Sequence, residues 1–151
     1  MLEPGYVSGL ADGEGCFCVS ISPRKLKEVQ WEIRPSFSIS LNKKSKGILY
    51  QIRDFFQCGF IRPSKKDNTY KYEIRELKEL AEKIIPHFQK YHLYTEKKKD
   101  FETFEKVVRM MRQGKHLSFD GLKEIVSLIV NMNPHGKKIY NRKEIADLMN
   151  V

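Results

Sequence analysis

The sequence predicts an α+β fold in the order α-β-β-α-β-β-α, with more helices after it. Three observations carry that reading. Two pairs of segments alternate apolar and polar residues with period two, as strands with one buried face do. The segments that follow each pair carry apolar residues at helical spacing. The chain opens on a helical stretch of small residues. Its 151 residues suit one domain, with a core at about 5–112 and a helical extension at about 113–151.

In the opening helix Gly5, Ser8, Gly9 and Asp12 fall at i, i+3, i+4 and i+7, which is one face. That face is nearly bare, so another backbone can approach it. Val7, Leu10 and Ala11 point elsewhere and reach a core. The helix then meets Asp12 and Glu14, separated by Gly13. Acids are disfavoured at a helix C-terminus, where the backbone carries partial negative charge. A hard cation such as Mg²⁺, which prefers oxygen ligands, relieves that conflict. Gly13 and Gly15 allow the backbone to turn there.

Phe17, Val19 and Ile21 alternate with Cys18, Ser20 and Ser22 in a first strand. Pro23 to Glu28 is a charged turn. A second strand puts Trp31, Ile33, Phe37, Ile39 and Leu41 on one face and Glu32, Arg34, Ser36, Ser38 and Ser40 on the other. Pro35 falls on its apolar side and implies an edge or a bulge. Ser45 is placed to cap a helix carrying Ile48, Leu49, Ile52, Phe55 and Phe56, which Cys58 and Gly59 end. Phe60 to Arg62 starts a third strand, and Lys65 to Asn68 makes a polar turn. Tyr70, Tyr72 and Ile74 alternate with Thr69, Lys71 and Glu73 in a fourth. Leu77, Leu80, Ala81, Ile84, Ile85 and Phe88 mark the next helix, with Pro86 near its end. Asp100 to Arg112 and Ser118 to Asn131 are helical. Met132 to Tyr140 reads as a linker, and Asn141 to Glu144 as a capping box opening a last short helix.

Charge adds a partner class. Lysines and arginines number 28 against 19 acids, a net charge of +9. That balance points to a polyanion, nucleic acid first. Three cysteines, two of them in Cys16-x-Cys18, argue against a secreted disulfide framework and lack the paired spacing of a zinc site. No apolar run is long enough to span a membrane, and the N-terminus has no signal-like region. The expected location is intracellular, in the chloroplast, mitochondrion or prokaryotic cytoplasm where the gene is expressed. The polar sheet face carries Ser20, Ser22, Arg24, Arg34, Ser36, Ser38, Ser40, Arg62, Ser64, Lys71 and Glu73. A two-stranded ribbon with such a face fits the DNA major groove. Arg24, Arg34 and Arg62 are the candidates for guanine edges.

Ser8-Gly-Leu-Ala-Asp-Gly-Glu-Gly15, followed by Cys16-Phe17, resembles the motif of the LAGLIDADG homing endonucleases. Ser8 stands at its second position and Glu14 at its last acidic one. Two later stretches are similar to the same family, in the same order. Phe37-Ser-Ile-Ser-Leu-Asn-Lys-Lys-Ser45 resembles the second strand and its exit. Ile84 to Phe101 resembles the Pro-His-Phe segment, the Leu-x-Thr turn and the lysine-bearing start of the next helix. Leu41, with Asn42 beside it, stands where some members carry a polar residue. The C-terminal helices match no motif of the family.

The resemblance implies an αββαββα core with a four-stranded antiparallel DNA-binding sheet. It implies a site-specific double-strand DNA endonuclease that hydrolyses phosphodiesters at a long pseudo-palindromic site. Glu14 is then catalytic and a ligand of Mg²⁺ or Mn²⁺, with the Gly13 carbonyl beside it. Lys97 is the expected cation near the scissile phosphate. One chain has a single acidic corner, and cutting two strands needs two. The face of Gly5, Ser8, Gly9 and Asp12 is therefore expected to pair two copies as a homodimer. An RNA-binding maturase and a non-cleaving DNA-binding regulator remain the alternatives, and a basic structural protein of a nucleoprotein complex is a third.

Overall fold

The computed structural model describes residues 1–23, 31–133 and 145–147. The charged turn after Pro23, Arg24, most of the linker and the capping box lie outside the described residues. The elements are α1 (Pro4–Glu14), β1 (Gly15–Pro23), β2 (Trp31–Asn42), a 3₁₀ turn (Lys43–Ser45), α2 (Lys46–Phe56), β3 (Phe60–Pro63), β4 (Thr69–Ile74), α3 (Leu77–Glu79), a π turn (Leu80–Ile84), α4 (Ile85–Lys90), α5 (Lys97–Arg112), a further 3₁₀ turn (Lys115–Leu117) and α6 (Phe119–Ile129). The fold is α+β, with one four-stranded sheet in the order β1-β2-β4-β3.

The chain divides into two compact units, Met1–Phe17 with Ser36–Lys99, and Cys18–Pro35 with Asp100–Val151. The division passes through β1, β2 and α5, so α5 beyond Lys99 groups with the C-terminal helix.

In the first unit β2 pairs antiparallel with β4 from Phe37 opposite Ile74 to Asn42 opposite Thr69. β3 pairs antiparallel with the other edge of β4, from Phe60 opposite Glu73 to Pro63 opposite Tyr70. Pro35 lies beyond the Phe37–Ile74 end of the β2–β4 ladder. Opposed residues share a face, so the register alone puts Phe37, Ile39, Tyr72 and Ile74 on the buried side. Val7, Ala11, Leu49, Ile52, Leu80, Ile84 and Phe88 are buried in the same unit. At its centre the Phe37 ring lies 4.9 Å from Phe17 and 5.3 Å from Phe88.

Two local features differ from the sequence reading. Ser45 makes no side-chain cap; Asn42 does, accepting the Lys44 N–H at 3.0 Å and starting the 3₁₀ turn before α2. The helix expected from Leu77 to Phe88 is broken by the π turn just before Pro86. A proline inside a helix lacks an N–H and crowds the carbonyl four residues back, here that of Glu82. A wider turn upstream accommodates both effects.

In the second unit Val19, Ile21 and Ile33 are buried, as are Phe101, Phe104, Val107, Val108, Met110 and Met111 of α5 and Leu122, Ile125, Val126 and Ile129 of α6. Ser118 caps α6 by accepting the Gly121 N–H at 3.1 Å. Gly121 is obligatory there, because an added Cβ would lie 1.8 Å from the Lys115 carbonyl oxygen. No helix of the described residues is long and apolar enough to cross a membrane.

Candidate functional site

α1 continues through both carboxylates and hands over to β1 without a loop. Gly15 makes the corner: it is extended (φ −77°, ψ 161°), its N–H donates to the Ala11 carbonyl, and a Cβ would sit 2.6 Å from that oxygen. Gly13 stays helical, so the two acids form the last turn of the helix and not a turn beyond it. Two residues along a helix is about 200° of rotation. Asp12 and Glu14 therefore diverge.

Asp12 faces its own unit. Its carboxylate accepts the Tyr94 N–H at 2.8 Å, the Thr95 N–H at 3.1 Å and the Thr95 hydroxyl at 2.7 Å. Thr95 Oγ1 in turn lies 3.3 Å from the Lys97 N–H, which donates to it. Burial alone would push the Asp12 carboxyl up. The Thr95 hydroxyl, the two backbone N–H groups and the Lys97 charge outweigh it and hold the group below the usual aspartate range. Glu14, by contrast, is exposed and makes no hydrogen bond or ion pair among the described residues. Asp12 thus braces the end of α1 against the segment entering α5. That places Lys97, the first residue of α5, within electrostatic reach of the same corner.

The donors at this corner are oxygens, the type a hard divalent cation selects. The Ala11 carbonyl is taken by Gly15, and the Asp12 carbonyl accepts the Thr95 hydroxyl at 3.3 Å. The Gly13 carbonyl and the Glu14 carboxylate are the next oxygens along. An added Cβ at Gly13 would meet nothing within 4 Å. Among the described residues no group of three or more His, Cys, Asp or Glu could hold a metal ion. The residues fit a hard cation in kind.

The expected bare face of α1 needs correction. Ser8 is 4% exposed, and its hydroxyl donates to the Tyr91 carbonyl at 2.7 Å. The Ser8 oxygen lies 3.1 Å from His87 Nε2, so the ring nitrogen is the donor to it. Ser8 and Asp12 both point inward and are not on the open face. The open side carries Gly5, Gly9 and Gly13, each exposed, with space where a Cβ would stand. His87 is buried against Phe55, Phe56, Phe88 and Tyr91, and burial lowers its pKa to about 4.

In the first unit the register orders the polar sheet face into rows. One row holds Ser40, Lys71 and Arg62; the next holds Ser38, Glu73 and Phe60. Ser36 and Ser40 are half-buried, whereas Ser38 is 9% exposed and is not open to a ligand. Glu73 is 6% exposed and its Oε2 accepts from Arg62 and Arg75, so it is not a free acceptor either. Ser64 Oγ accepts the Lys66 N–H within the β3–β4 turn. In the second unit Ser20 is exposed and donates to the Arg34 carbonyl at 3.3 Å, Ser22 is half-buried, and the exposed Arg34 pairs with Glu32 at 3.0 Å.

Sequence reasoning missed Phe60, Arg75 and Thr95. Arg75 continues the Lys71–Glu73 parity by one step, a signal that stopping the strand at Ile74 discarded. Phe60 is an apolar residue on the polar side and only the register with Glu73 reveals it. Thr95 lay in the Leu-x-Thr turn, whose partner across the chain no local pattern names.

The LAGLIDADG endonuclease family pattern matches residues 7–108. A Neurospora crassa protein named "Probable intron-encoded endonuclease 2" is 33% identical over 133 residues, which is 87% of this chain and 29% of that protein. The chain therefore spans less than a third of that relative's length. Among solved structures, the homing endonuclease I-TnaI superposes with a TM-score of 0.88 at 33% identity, covering 98% of each chain. I-SmaMI, solved bound to cleaved DNA, superposes with a TM-score of 0.90 at 32% identity, over all of this chain and 49% of that one.

Proposed function

As the chain belongs to the LAGLIDADG endonuclease family, we propose that it is a site-specific double-strand DNA endonuclease that works as a homodimer on a long, roughly palindromic site. One observation carries the reading most: Glu14 is an exposed carboxylate without a partner among the described residues, set on a helix end that already carries negative potential. Folding gains nothing from such a group, and a cation-dependent reaction does.

Glu14 and the Gly13 carbonyl would hold a divalent cation, Mg²⁺ or Mn²⁺. When bound, such ions activate water and stabilise the leaving oxygen of a phosphodiester. Lys97 offers a positive charge beside the corner, where negative charge grows in the transition state. Asp12 has a different role: with Thr95 it fixes the helix end that carries Glu14. The open Gly5, Gly9 and Gly13 side of α1 lets a second copy approach closely, and an isologous contact there would bring two Glu14 residues together. That the match covers 49% of I-SmaMI supports the same arithmetic, since a longer chain has a second half to offer. The sheet faces would lie on the DNA, with phosphate contacts setting position and base-edge contacts setting sequence. The protein would act inside the cell, in whichever compartment expresses its gene.

The test is incubation with a plasmid library of candidate sites, with Mg²⁺ and with EDTA, beside Glu14→Gln. Double-strand cuts at one long site that need the metal and vanish in the variant are expected. Specific binding that never leads to cutting under any divalent metal would refute nuclease action, and RNA would be the next ligand tried.

A further inference from the structure

Outside the acidic corner, one arrangement on the first unit's sheet face has no role in the reaction described above. Glu73 is almost wholly buried, yet it sits among polar residues. Its Oε2 accepts Arg62 Nε and Nη2, both at 3.3 Å, and Arg75 Nη2 at 3.1 Å. The two arginine side chains stay 47% and 56% exposed. The Arg75 guanidinium also lies over the Phe60 ring, 5.4 Å from its centroid. Two cations are thus held by one carboxylate, one of them seated on an aromatic face.

We infer that Glu73 is a positioning residue and that Arg62 and Arg75 form one guanine-reading unit, each taking the O6/N7 edge of a guanine. The inference rests on the DNA-binding reading given above. Arg62 commits its Nε–H and one Nη2–H to Glu73. The Nη1–Nη2 end of its guanidinium remains for a bidentate acceptor. Arg75 commits a single Nη2–H and keeps the rest. Bidentate pairing with O6 and N7 is what such a planar fork matches best among base edges.

Backbone phosphate is the other acceptor of the same shape. The buried carboxylate argues against it. A contact made for phosphate works through net positive charge, and Glu73 cancels part of that charge. A contact made for a base works through direction, and Glu73 supplies direction by locking two flexible side chains before DNA arrives. The shared acceptor also links the two forks, so disturbing Glu73 disturbs both.

The experiment is selection from a randomised duplex library in EDTA, where cleavage plays no part. The parent is compared with Arg62→Ala, Arg75→Ala, Phe60→Ala and Glu73→Gln, each checked for folding by circular dichroism. The parent should prefer guanine at two positions in each half-site, each by about 5- to 150-fold. Arg62→Ala should lose one preference and Arg75→Ala the other. Phe60→Ala should weaken only the Arg75 position, and Glu73→Gln should weaken both. Should Glu73→Gln fail to fold, the Arg75 and Phe60 variants decide, since both residues are exposed. Glu73→Gln keeping both preferences, or Arg75→Ala weakening all sequences equally, would overturn the inference. Enrichment in the parent without the paired guanines refutes this inference alone. A parent that enriches no sequence refutes the DNA-recognition reading with it.

Discussion

Lowering the pH should destabilise this protein through His87 over a defined window. The ring is 8% exposed, and burial brings its pKa from 6.5 to about 4. The unfolded chain takes up the proton near the ordinary value, while the folded chain resists it. The histidine therefore costs nothing above pH 6.5, and stability falls as pH drops towards about 4, below which its contribution is flat. Each pH unit inside the window is worth about 1.4 kcal/mol, which makes roughly 3 kcal/mol in all. That is a large part of the 5–15 kcal/mol or so that holds a domain of this size. Urea unfolding at intervals between pH 7 and 4 would measure it, for the parent and for His87→Gln. Glutamine has an amide donor for Ser8 and does not titrate. Acids such as Asp12 contribute to both curves and cancel in the difference. The parent should lose roughly 3 kcal/mol more than the variant across the window. Two parallel curves would refute the reasoning, because His87 would then titrate alike in both states.

Other perturbations separate the roles assigned above. Asp12→Ala should cost about 1–3 kcal/mol in urea unfolding by removing the hydrogen bonds that its charged carboxylate accepts from Tyr94 and Thr95. Because the folded Asp12 pKa is lowered, its stabilisation is full above the ordinary aspartate value and is lost as pH falls through the lower folded one; the acid limb of the parent should flatten in the variant. Glu14→Gln should remove cleavage without lowering the melting temperature, since the carboxylate has no partner to lose among the described residues and its charge opposes the helix end. Gly9→Arg meets open space within the chain, so the monomer should fold and sedimentation should show the proposed dimer lost. Gly121→Ala should cost about 1–3 kcal/mol on thermal or urea unfolding, because the added methyl drives into the Lys115 carbonyl.

Much of the fold was legible because one-face burial imposes strict period. Phe17-x-Val19-x-Ile21 has the buried positions that alternation requires, Tyr72 and Ile74 are buried in β4 where Tyr70 is half-buried, and α5 and α6 bury the stripes their spacing marks. What escaped the sequence was contact across the chain. The Gly5–Ser8–Gly9–Asp12 face is sound as helical geometry, yet Ser8 and Asp12 are bound by Tyr91, His87, Tyr94 and Thr95, some eighty positions away. Periodicity says which residues share a side and not which side faces the protein. Ser38 and Glu73 failed in the same way: polar type suggested exposure, and neighbours on the sheet covered them.

The acidic corner shows how a short motif divides its labour. Had the two carboxylates stood one turn apart, they would have faced the same way and repelled each other. Two apart, they are sent to opposite sides of one helix end, and side-chain length suits each to its task. Aspartate, short and stiff, reaches the amides of Tyr94 and Thr95 and is consumed in holding α1 to the start of α5. Glutamate, longer by a methylene, stands exposed with no ion pair or hydrogen bond among the described residues. The unfavourable placement of acid at a helix C-terminus is answered by hydrogen bonds for Asp12, and under the proposed function it would be answered by a bound cation for Glu14. Because the first acid ties down the helix that carries the second, loosening Asp12 should lower cleavage without altering which sequence is bound. Thr95→Val tests that separation: it removes the hydroxyl that Asp12 accepts at 2.7 Å and leaves the backbone donors in place. The maximal cleavage rate should fall while the selected DNA sequence stays the same. A changed sequence preference at an unchanged rate would show that the brace serves the sheet and not the corner.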